Sequence, residues 1–481
     1  MSMSMSLLIG DIVTLAALTA PRQTAATLGA DAVTFAELDV AANRTANALA
    51  GLGVQTGDVV LWCATPTLRS LDVFVACARL GAVFAPLNPA LPVHERDAVR
   101  RYLDPRLALS DVPFGEAGVV HHETLEMGAG RFDPRTVDDR APHIVYLTSG
   151  STGTPKGALV SHRASWLRAA PGGGTFTSGL RGHGGVVCTF PLYHYGGWHY
   201  VMEAWQHRTA VHLVRRADAV EVIDVVQRRR PSALYCIPAV WERLLDREHR
   251  TADLRSLLHA DTGTSSVAAD LVERIKARLP GTTTTILYGS TEAGRMAALH
   301  DWDLARKPGS VGRAATPNAL WLADDGEVCV AGPALMNGYL GAAPLTGEYR
   351  SGDVGRIDEE GYLFLTGRTR EVIRTGGESV GPAEVEHALR DLPGVLDVAV
   401  VGLPDDRWGE VVCAVFVLPD GCPPPTVAQV RSHVDGRLAG FKLPRRVATA
   451  TSIPRTPATG QIQRGRLRDL LTAPEGASAG S

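Results

Sequence analysis

Ile144-Val-Tyr-Leu-Thr-Ser-Gly-Ser-Thr-Gly-Thr-Pro-Lys-Gly157 decides how the rest of this chain is read. Residues 144–147 form an apolar run with the composition of a buried strand, and it empties into hydroxyls and glycines closed by one lysine. Gly150, Gly153 and Gly157 let the backbone turn tightly and bring its N–H groups close to an anion. Thr148, Ser149, Ser151 and Thr152 add hydroxyl donors, and Lys156 adds a positive charge. This is the chemistry of a phosphate-holding loop. It is not a Walker loop, which needs Gly-Lys followed by Ser or Thr; here Pro155 precedes the lysine and Gly157 follows it.

Outward from this loop, short apolar runs alternate with helical patterns. Leu38, Ala42, Ala46 and Leu49 recur at helical spacing before Gly51 and Gly53; 59–63 reads as a strand, 71–80 as a helix, and 82–85 as a strand ended by Pro86. After the loop, strands are predicted at 185–190, 210–214 and 233–237 and a helix at 220–229. The helix 267–279 stops at Pro280-Gly281, and 282–287 reads as a buried β-branched strand. It delivers Tyr288-Gly-Ser-Thr-Glu-Ala-Gly294 at its carboxyl end, where open parallel sheets favour ligands. The alternation predicts an α/β fold of doubly wound parallel sheets. From Gly326 the strands 327–331 and 362–365 suggest a small barrel-like portion, and beyond Arg370 the strands 395–401 and 411–418 with a helix at 427–438 suggest a compact α+β domain. The predicted organisation is a large N-terminal domain over 1–369, a smaller C-terminal domain over 370–472, and a disordered Ala/Gly/Ser-rich tail over 473–481.

With 481 residues, 45% hydrophobic and 21% charged, the chain can bury several cores. Lys and Arg number 48 against 51 Asp and Glu, a net charge of −3 that gives no electrostatic argument for nucleic acid or an anionic membrane. The seven cysteines are scattered, with no CxxC pair, which suits a reducing cytoplasm and speaks against zinc. Residues 7–20 are apolar but interrupted by Asp11 and lack a preceding positive region, so they read as an opening helix and not a signal peptide. No stretch approaches the roughly 18 unbroken apolar residues of a membrane span.

Three acid or imidazole positions stand out. Glu292 lies just past a predicted strand, beside Thr291 in a glycine-bounded turn, where one carboxylate can hold Mg²⁺ against phosphates because that ion keeps waters and takes few protein ligands. Asp353, in Tyr349-Arg-Ser-Gly-Asp-Val-Gly355, is an acid between glycines that can accept from both hydroxyls of a ribose. His194, in Pro191-Leu-Tyr-His-Tyr-Gly-Gly-Trp198, lies in an aromatic loop after a strand.

The run from Thr148 to Gly157 closely resembles the signature of the adenylate-forming superfamily of acyl-CoA synthetases, peptide-synthetase adenylation domains and luciferases, and the likeness holds in order and spacing from about residue 38 to 468. The resemblance implies that the hydroxyl loop with Lys156 holds ATP phosphates, that Tyr288 stacks near adenine with Gly289 and Ser290 in the same segment, that Thr291 meets phosphate and that Glu292 binds Mg²⁺. It places Asp353 and Arg368, the latter in Gly367-Arg-Thr-Arg370, on the ribose. His194 would shape the acid pocket, with Trp198 and Gly289 bordering it. Ala260-Asp-Thr-Gly-Thr-Ser-Ser266 occupies the place of the family's Gly-Gly-Ala-Pro-like wall, which puts Gly263 and Thr264 beside adenine and the acyl group. Thr264 and Ser265 make that wall more polar, which favours a small or polar aromatic acid over a long aliphatic chain.

Pro454-Arg-Thr-Pro-Ala-Thr-Gly-Gln-Ile-Gln-Arg464 resembles the family's terminal motif, but Gln461 stands where the lysine bridging acid and α-phosphate belongs. Loss of one preorganised donor in such a site costs on the order of 10²–10³ in rate, or roughly 3–4 kcal/mol. Either another cation such as Lys442, Arg455 or Arg464 substitutes, or an engineered change traps one state, or the chain binds nucleotide with impaired turnover. Arg370 stands at the hinge, usually Asp or Lys, about which the small domain would move. Gly376-Gly-Glu-Ser-Val-Gly-Pro-Ala-Glu-Val-Glu386 fits the segment that faces the thioester-forming site after that rotation, with Gly381 in place of a common aromatic. The implied reaction is ATP-dependent adenylation of a small or aromatic carboxylic acid with pyrophosphate release, then transfer to the CoA thiol, using ATP, Mg²⁺ and CoA and no covalent acyl-enzyme. The alternative is a relative that activates nitrite for diazotisation of an aromatic amine.

Overall fold

The computed structural model describes residues 7–115, 118–125, 127–148, 156–170, 184–265, 267–369, 371–375, 378–456 and 460–472. Ser149, Gly150, Ser151, Thr152 and Gly153 of the hydroxyl run, the hinge position Arg370 and the tail 473–481 lie outside these residues. The chain divides into two compact units, one of Met1–Leu320 with Val330–Tyr349 and the other of Trp321–Cys329 with Arg350–Ser481.

The first unit is built on two sheets. The larger has nine strands in the spatial order Arg313–Ala314, Gly294–Leu299, Ile286–Ser290, His259–Gly263, Ala233–Cys236, Val186–Cys188, Val211–Leu213, Thr24–Leu28 and Asp31–Thr34. From Ile286–Ser290 to Thr24–Leu28 the strands run parallel, with antiparallel pairings at both ends. The smaller has seven, in the order Gly338–Tyr339, Lys156–Ser161, Pro142–Thr148, Val83–Pro86, Val59–Cys63, Leu107–Ser110 and Val119–His121. Helices cover the apolar faces, as continuous Val/Leu/Ala strands require. The helix Phe35–Gly51 opens with a capping box between Thr34 and Glu37 and buries the stripe of Leu38, Ala42, Ala46 and Leu49 that its spacing predicts.

Three predicted elements differ from the structure, each for a local reason. The loop around His194 is the N-cap and first turn of the helix Tyr195–Gln206, and helical periodicity turns Trp198 inward. Trp198 is fully buried, stacked on Phe74 at 4.1 Å and edge-on to Phe84 at 5.3 Å, so it packs into the core from this helix. The strand expected at 282–287 starts at Ile286 and extends through Ser290, because Thr284 and Thr285 give their N–H groups to the carboxylates of Asp301 and Asp261. The helix expected to reach 438 stops at Val434, where Asp435 turns extended ahead of Gly436.

In the second unit, Tyr349–Ile357 and Leu363–Arg368 pair antiparallel in a four-stranded sheet with Glu327–Ala331 and Ala319–Leu322. A second sheet joins Glu378–Val380, Ile373–Thr375, Gly409–Val417 and Asp397–Asp405, with Arg446–Thr449 parallel to Gly409–Val417. Both faces of this sheet are covered. Val412, Ala414 and Phe416 pack with the helices Pro382–Leu389 and Val427–Val434, while Val411, Cys413 and Val415 pack with Leu467 of Arg464–Thr472.

Candidate active site

Strands Pro142–Thr148 and Lys156–Ser161 pair antiparallel with Thr148 opposite Lys156, and the Thr148 hydroxyl donates to the Lys156 carbonyl at 3.3 Å. The flanks of the hydroxyl-rich segment are thus closed on one another. Lys156 opens a strand and not a helix, so no helix N-terminus stands behind it and the positive charge offered to an anion comes from the side chain.

The Lys156 ammonium is exposed and lies 5.3 Å from the centre of the Tyr339 ring. Tyr339 is placed by the short strand Gly338–Tyr339, which pairs with Ala158 and Leu159 directly after the lysine. Its hydroxyl donates to Glu292 Oε1 at 2.9 Å. Tyr102 fixes the same exit: its hydroxyl accepts from the Gly157 N–H and donates to the Leu340 carbonyl, both at 3.1 Å.

Glu292 is buried in the turn between the antiparallel strands Ile286–Ser290 and Gly294–Leu299. Buried Arg168 holds that turn. It donates to the carbonyls of Thr291 at 3.0 Å, Glu292 at 2.8 Å and Ala334 at 2.7 Å. Gly294 has φ +73°, and a Cβ there would stand 2.9 Å from Arg168 Nε, so only glycine lets the arginine pass. Among the described residues no group of three or more His, Cys, Asp or Glu could form an all-protein metal cage. One buried carboxylate steadied by a tyrosine fits Mg²⁺ arriving on nucleotide phosphates.

His194 Nδ1 accepts from the Gly196 N–H at 3.0 Å, and the ring stacks on Phe190 at 5.3 Å. Burial pushes its pKa down to about 4, so the ring is neutral at physiological pH and carries its proton on Nε2 as a donor. Thr264 has φ +71°, and its hydroxyl meets the Tyr235 hydroxyl at 2.8 Å. At Gly263 a Cβ would stand 2.1 Å from the Leu287 carbonyl oxygen, which keeps this strand end close to the one carrying Tyr288, Gly289 and Ser290.

In the second unit Asp353 and Arg368 sit opposite each other across two strands, with Arg368 Nε donating to Asp353 Oδ1 at 2.8 Å. Gln461 is tied to Thr456: its backbone carbonyl accepts from the Thr456 N–H at 2.8 Å and its backbone N–H donates to the Thr456 hydroxyl at 3.1 Å. Each cation expected to substitute for the missing lysine is engaged: Lys442 with Glu384 at 2.6 Å, Arg455 with both oxygens of Asp397 at 2.9 Å, and Arg464 with Glu371 and Glu386 at 2.7 Å.

Tyr339, Arg168 and Tyr102 escaped the sequence reading. A two-residue strand shows no periodicity, and an arginine ending a seven-residue helix carries no signal of the carbonyls it will meet.

The AMP-binding enzyme family matches residues 14–340, and the AMP-binding enzyme C-terminal domain matches 384–459. Indoleacetate–CoA ligase of Aromatoleum aromaticum is 34% identical over 91% of this chain and 93% of its own length. Feruloyl-CoA synthase of an Amycolatopsis species is 32% identical over 93% and 96%. The structure of o-succinylbenzoate–CoA synthetase from Bacillus subtilis, solved with its acyl-adenylate intermediate, superposes with a TM-score of 0.85 at 25% identity, covering 95% of this chain and 98% of that one. Two adjoining domain matches in the expected order, with relatives aligned over nearly their whole length, make this chain a member of the AMP-binding enzyme family and an adenylate-forming enzyme of the acid–CoA ligase type.

Proposed function

We propose that the enzyme adenylates an aromatic carboxylic acid with ATP, releases pyrophosphate and passes the acyl group to the CoA thiol. The observation that carries the ATP side of this reading is the single tyrosine joining Lys156 to Glu292. Support for an aromatic acid comes from the indoleacetate and feruloyl specificities named for the relatives and from the Phe190, Tyr200 and Tyr235 rings clustered beside His194 and Thr264.

In this reading Thr148 and Lys156 bind the phosphates, with Ser149, Gly150, Ser151, Thr152 and Gly153 completing the cradle, and Thr291 adds a donor at phosphate. Tyr288, Gly289, Ser290 and Gly263 border adenine, and Asp353 with Arg368 holds the ribose. Neutral His194 donates through Nε2 toward the acid carboxylate and holds it in line with the α-phosphate. When bound at Glu292, Mg²⁺ offsets phosphate charge that the side chains leave uncompensated. Residues 370–472, hinged at Arg370, present Gln461 in the first step and the 376–386 segment in the second. The engaged state of Lys442, Arg455 and Arg464 supports a slow first step. A cytoplasmic location is supported by seven free cysteines, six of them buried. Among the described residues no helix is long and apolar enough to cross a membrane.

Pyrophosphate release measured across aromatic acids, aliphatic acids and nitrite, with the product identified by mass, tests the proposal. An aromatic acyl-CoA thioester, with AMP, formed only when acid, ATP, Mg²⁺ and CoA are all present is the expected result. Turnover with nitrite and an aromatic amine in place of acid and CoA would replace it with the diazotising reaction. Nucleotide binding without acid-dependent pyrophosphate would leave a binder.

A further inference from the structure

Beneath the Glu292 turn lies a buried polar cluster that none of the roles above uses. The helix Tyr195–Gln206 sets His199 and Glu203 one turn apart, and the strand Gly294–Leu299 brings Arg295 to them. His199 Nε2 is 3.4 Å from Glu203 Oε2, and Arg295 Nη2 is 3.9 Å from the same oxygen and 3.3 Å from His199 Nε2. The Tyr195 hydroxyl lies 3.4 Å from His199 Nδ1. Two strands away, on His259–Gly263, Asp261 Oδ1 accepts from the Thr285 N–H at 2.6 Å.

Two carboxylate oxygens here, Glu203 Oε2 and Asp261 Oδ2, are buried without a hydrogen bond among the described residues. A buried acceptor left unsatisfied costs about 1–3 kcal/mol, and more when charged. Arg295, at 3.9 Å, stands beyond hydrogen-bond distance of the Glu203 oxygen. Burial pushes both carboxyls up to about 7, against Arg295 at Glu203 and against the Thr285 hydrogen bonds and then Arg295 at Asp261.

The cluster is continuous with the residues assigned to the acid. Arg295 is the cross-strand partner of Gly289. Tyr200, next to His199, has its ring 5.2 Å from that of Tyr235, whose hydroxyl meets Thr264, and 6.1 Å from that of Phe190, on which His194 stacks. Packed rings therefore run from the residues assigned to the acid to Tyr200, which lies three residues before Glu203 on the same helix face.

We infer that Glu203 is the specificity-determining residue at the far end of the acid pocket, and that the preferred substrates are aryl acids carrying an N–H or O–H donor remote from the carboxylate, an indole or a phenol. The inference rests on the aromatic-acid reading above. The donor fills the Glu203 Oε2 acceptor, which His199 and Arg295 approach at 3.4 and 3.9 Å without a hydrogen bond. An acid with the same ring but a methylated nitrogen or oxygen leaves the acceptor unsatisfied and adds bulk against it, and sites built around a buried polar partner reject such analogues strongly.

Matched acids test this: indole-3-acetate against 1-methylindole-3-acetate, and 4-hydroxyphenylacetate against 4-methoxyphenylacetate, in the wild type, Glu203→Gln and Glu203→Leu. In the wild type, kcat/KM should favour the donor acids by at least about tenfold. Glu203→Leu should abolish that preference while the KM for ATP stays within about twofold, a split that a general packing defect would not give. Glu203→Gln keeps an acceptor oxygen, should retain part of the preference, and serves if the leucine variant does not fold. Equal use of donor and blocked acids by the wild type, or a preference unchanged in both variants, overturns the inference and leaves the aromatic-acid reading standing. Pyrophosphate release with none of the four acids, but with an aliphatic one, overturns both.

Discussion

The Tyr339 hydroxyl donates to Glu292 Oε1 at 2.9 Å while the face of its ring receives Lys156 at 5.3 Å, so one side chain couples the cation of the hydroxyl loop to the acid of a turn on the other sheet. The coupling follows from strand pairing: Gly338–Tyr339 lies against the strand that Lys156 opens, and Met336 donates its N–H to the Glu292 carbonyl at 2.8 Å. Tyr339 is a positioning residue for both.

Tyr339→Phe keeps the ring and removes the donor. Glu292 then loses its steadying bond, which for a charged acceptor is worth about 1.5–3 kcal/mol. Affinity for a non-hydrolysable ATP analogue should fall about tenfold with Mg²⁺ present and change little without it. Calorimetric titration in both conditions reads this directly, and an equal loss in both would show that the tyrosine acts on the nucleotide and not through the glutamate. Tyr339→Leu, which also removes the ring beneath Lys156, should weaken binding in both conditions.

Arg168 makes the second prediction. Its guanidinium serves three carbonyls at once, and a lysine cannot reach them in that fork geometry. Arg168→Lys should lower stability by about 2–4 kcal/mol, since each unsatisfied buried carbonyl costs about 1–3 kcal/mol and the lysine recovers some of them. It should slow acid-dependent pyrophosphate release by at least tenfold. Denaturant midpoints and initial rates measured together decide the matter, and a variant with normal midpoint and rate would show that the turn holds itself.

The parts of the site that the sequence made legible are those whose signal is local. Residues 144–147 announce a strand because both faces are buried, and Glu292 announces itself through the glycine-bounded turn. Tyr339 and Arg168 gain their meaning only when distant strands meet, and nothing within a few residues of either records that meeting. The segment after His194 reads as a loop for the opposite reason: Gly196 and Gly197 mimic one, yet they lie at a helix start, where a Cβ at Gly196 would stand 2.8 Å from the Phe190 ring and one at Gly197 2.6 Å from the Pro191 carbonyl oxygen. Those glycines allow close helix packing. The threonines at 282–285 have strand propensity, but two carboxylates claim backbone N–H groups that a ladder would use.

The buried acid Glu203 yields a pH prediction with a definite sign. Burial raises its carboxyl from 4.5 to about 7, with Arg295 on the facing strand pulling the other way; neutral His199, Tyr200 and the likewise raised Asp261 complete its surroundings. Between pH 4.5 and 7 the folded protein holds a proton that the unfolded chain has lost, so this group's contribution to stability falls as pH rises through that window. Glu203→Gln should therefore be close to neutral at pH 5 and gain on the order of 1–3 kcal/mol relative to the wild type at pH 8. Urea unfolding at the two pH values checks it; a variant that loses stability at pH 8 relative to pH 5 would mean that Glu203 is held ionised by Arg295.

Gln461 gives the last prediction. In the second unit Arg464 is tied to Glu371, Glu386 and the Val400 carbonyl, Arg455 to Asp397, and Lys442 to Glu384. Releasing Arg464 would strand Glu386, which is buried and otherwise accepts only from the Val400 N–H among the described residues. None of the three can leave for an α-phosphate without abandoning a carboxylate. On the proposed reading the anhydride-forming step is then short of the cation that a lysine at this position would supply, whereas attack by a thiol on a finished adenylate makes no such demand. Gln461→Lys should accelerate acid-dependent pyrophosphate release on the order of 10²-fold and leave consumption of a supplied acyl-adenylate by CoA almost unchanged. Rapid-quench measurement of the two steps in the two proteins separates the outcomes: equal adenylation rates would show that one of the paired cations, or one from elsewhere in the chain, already supplies the charge, and acceleration of both steps alike would place the lysine's effect on a motion common to them and not on the phosphate.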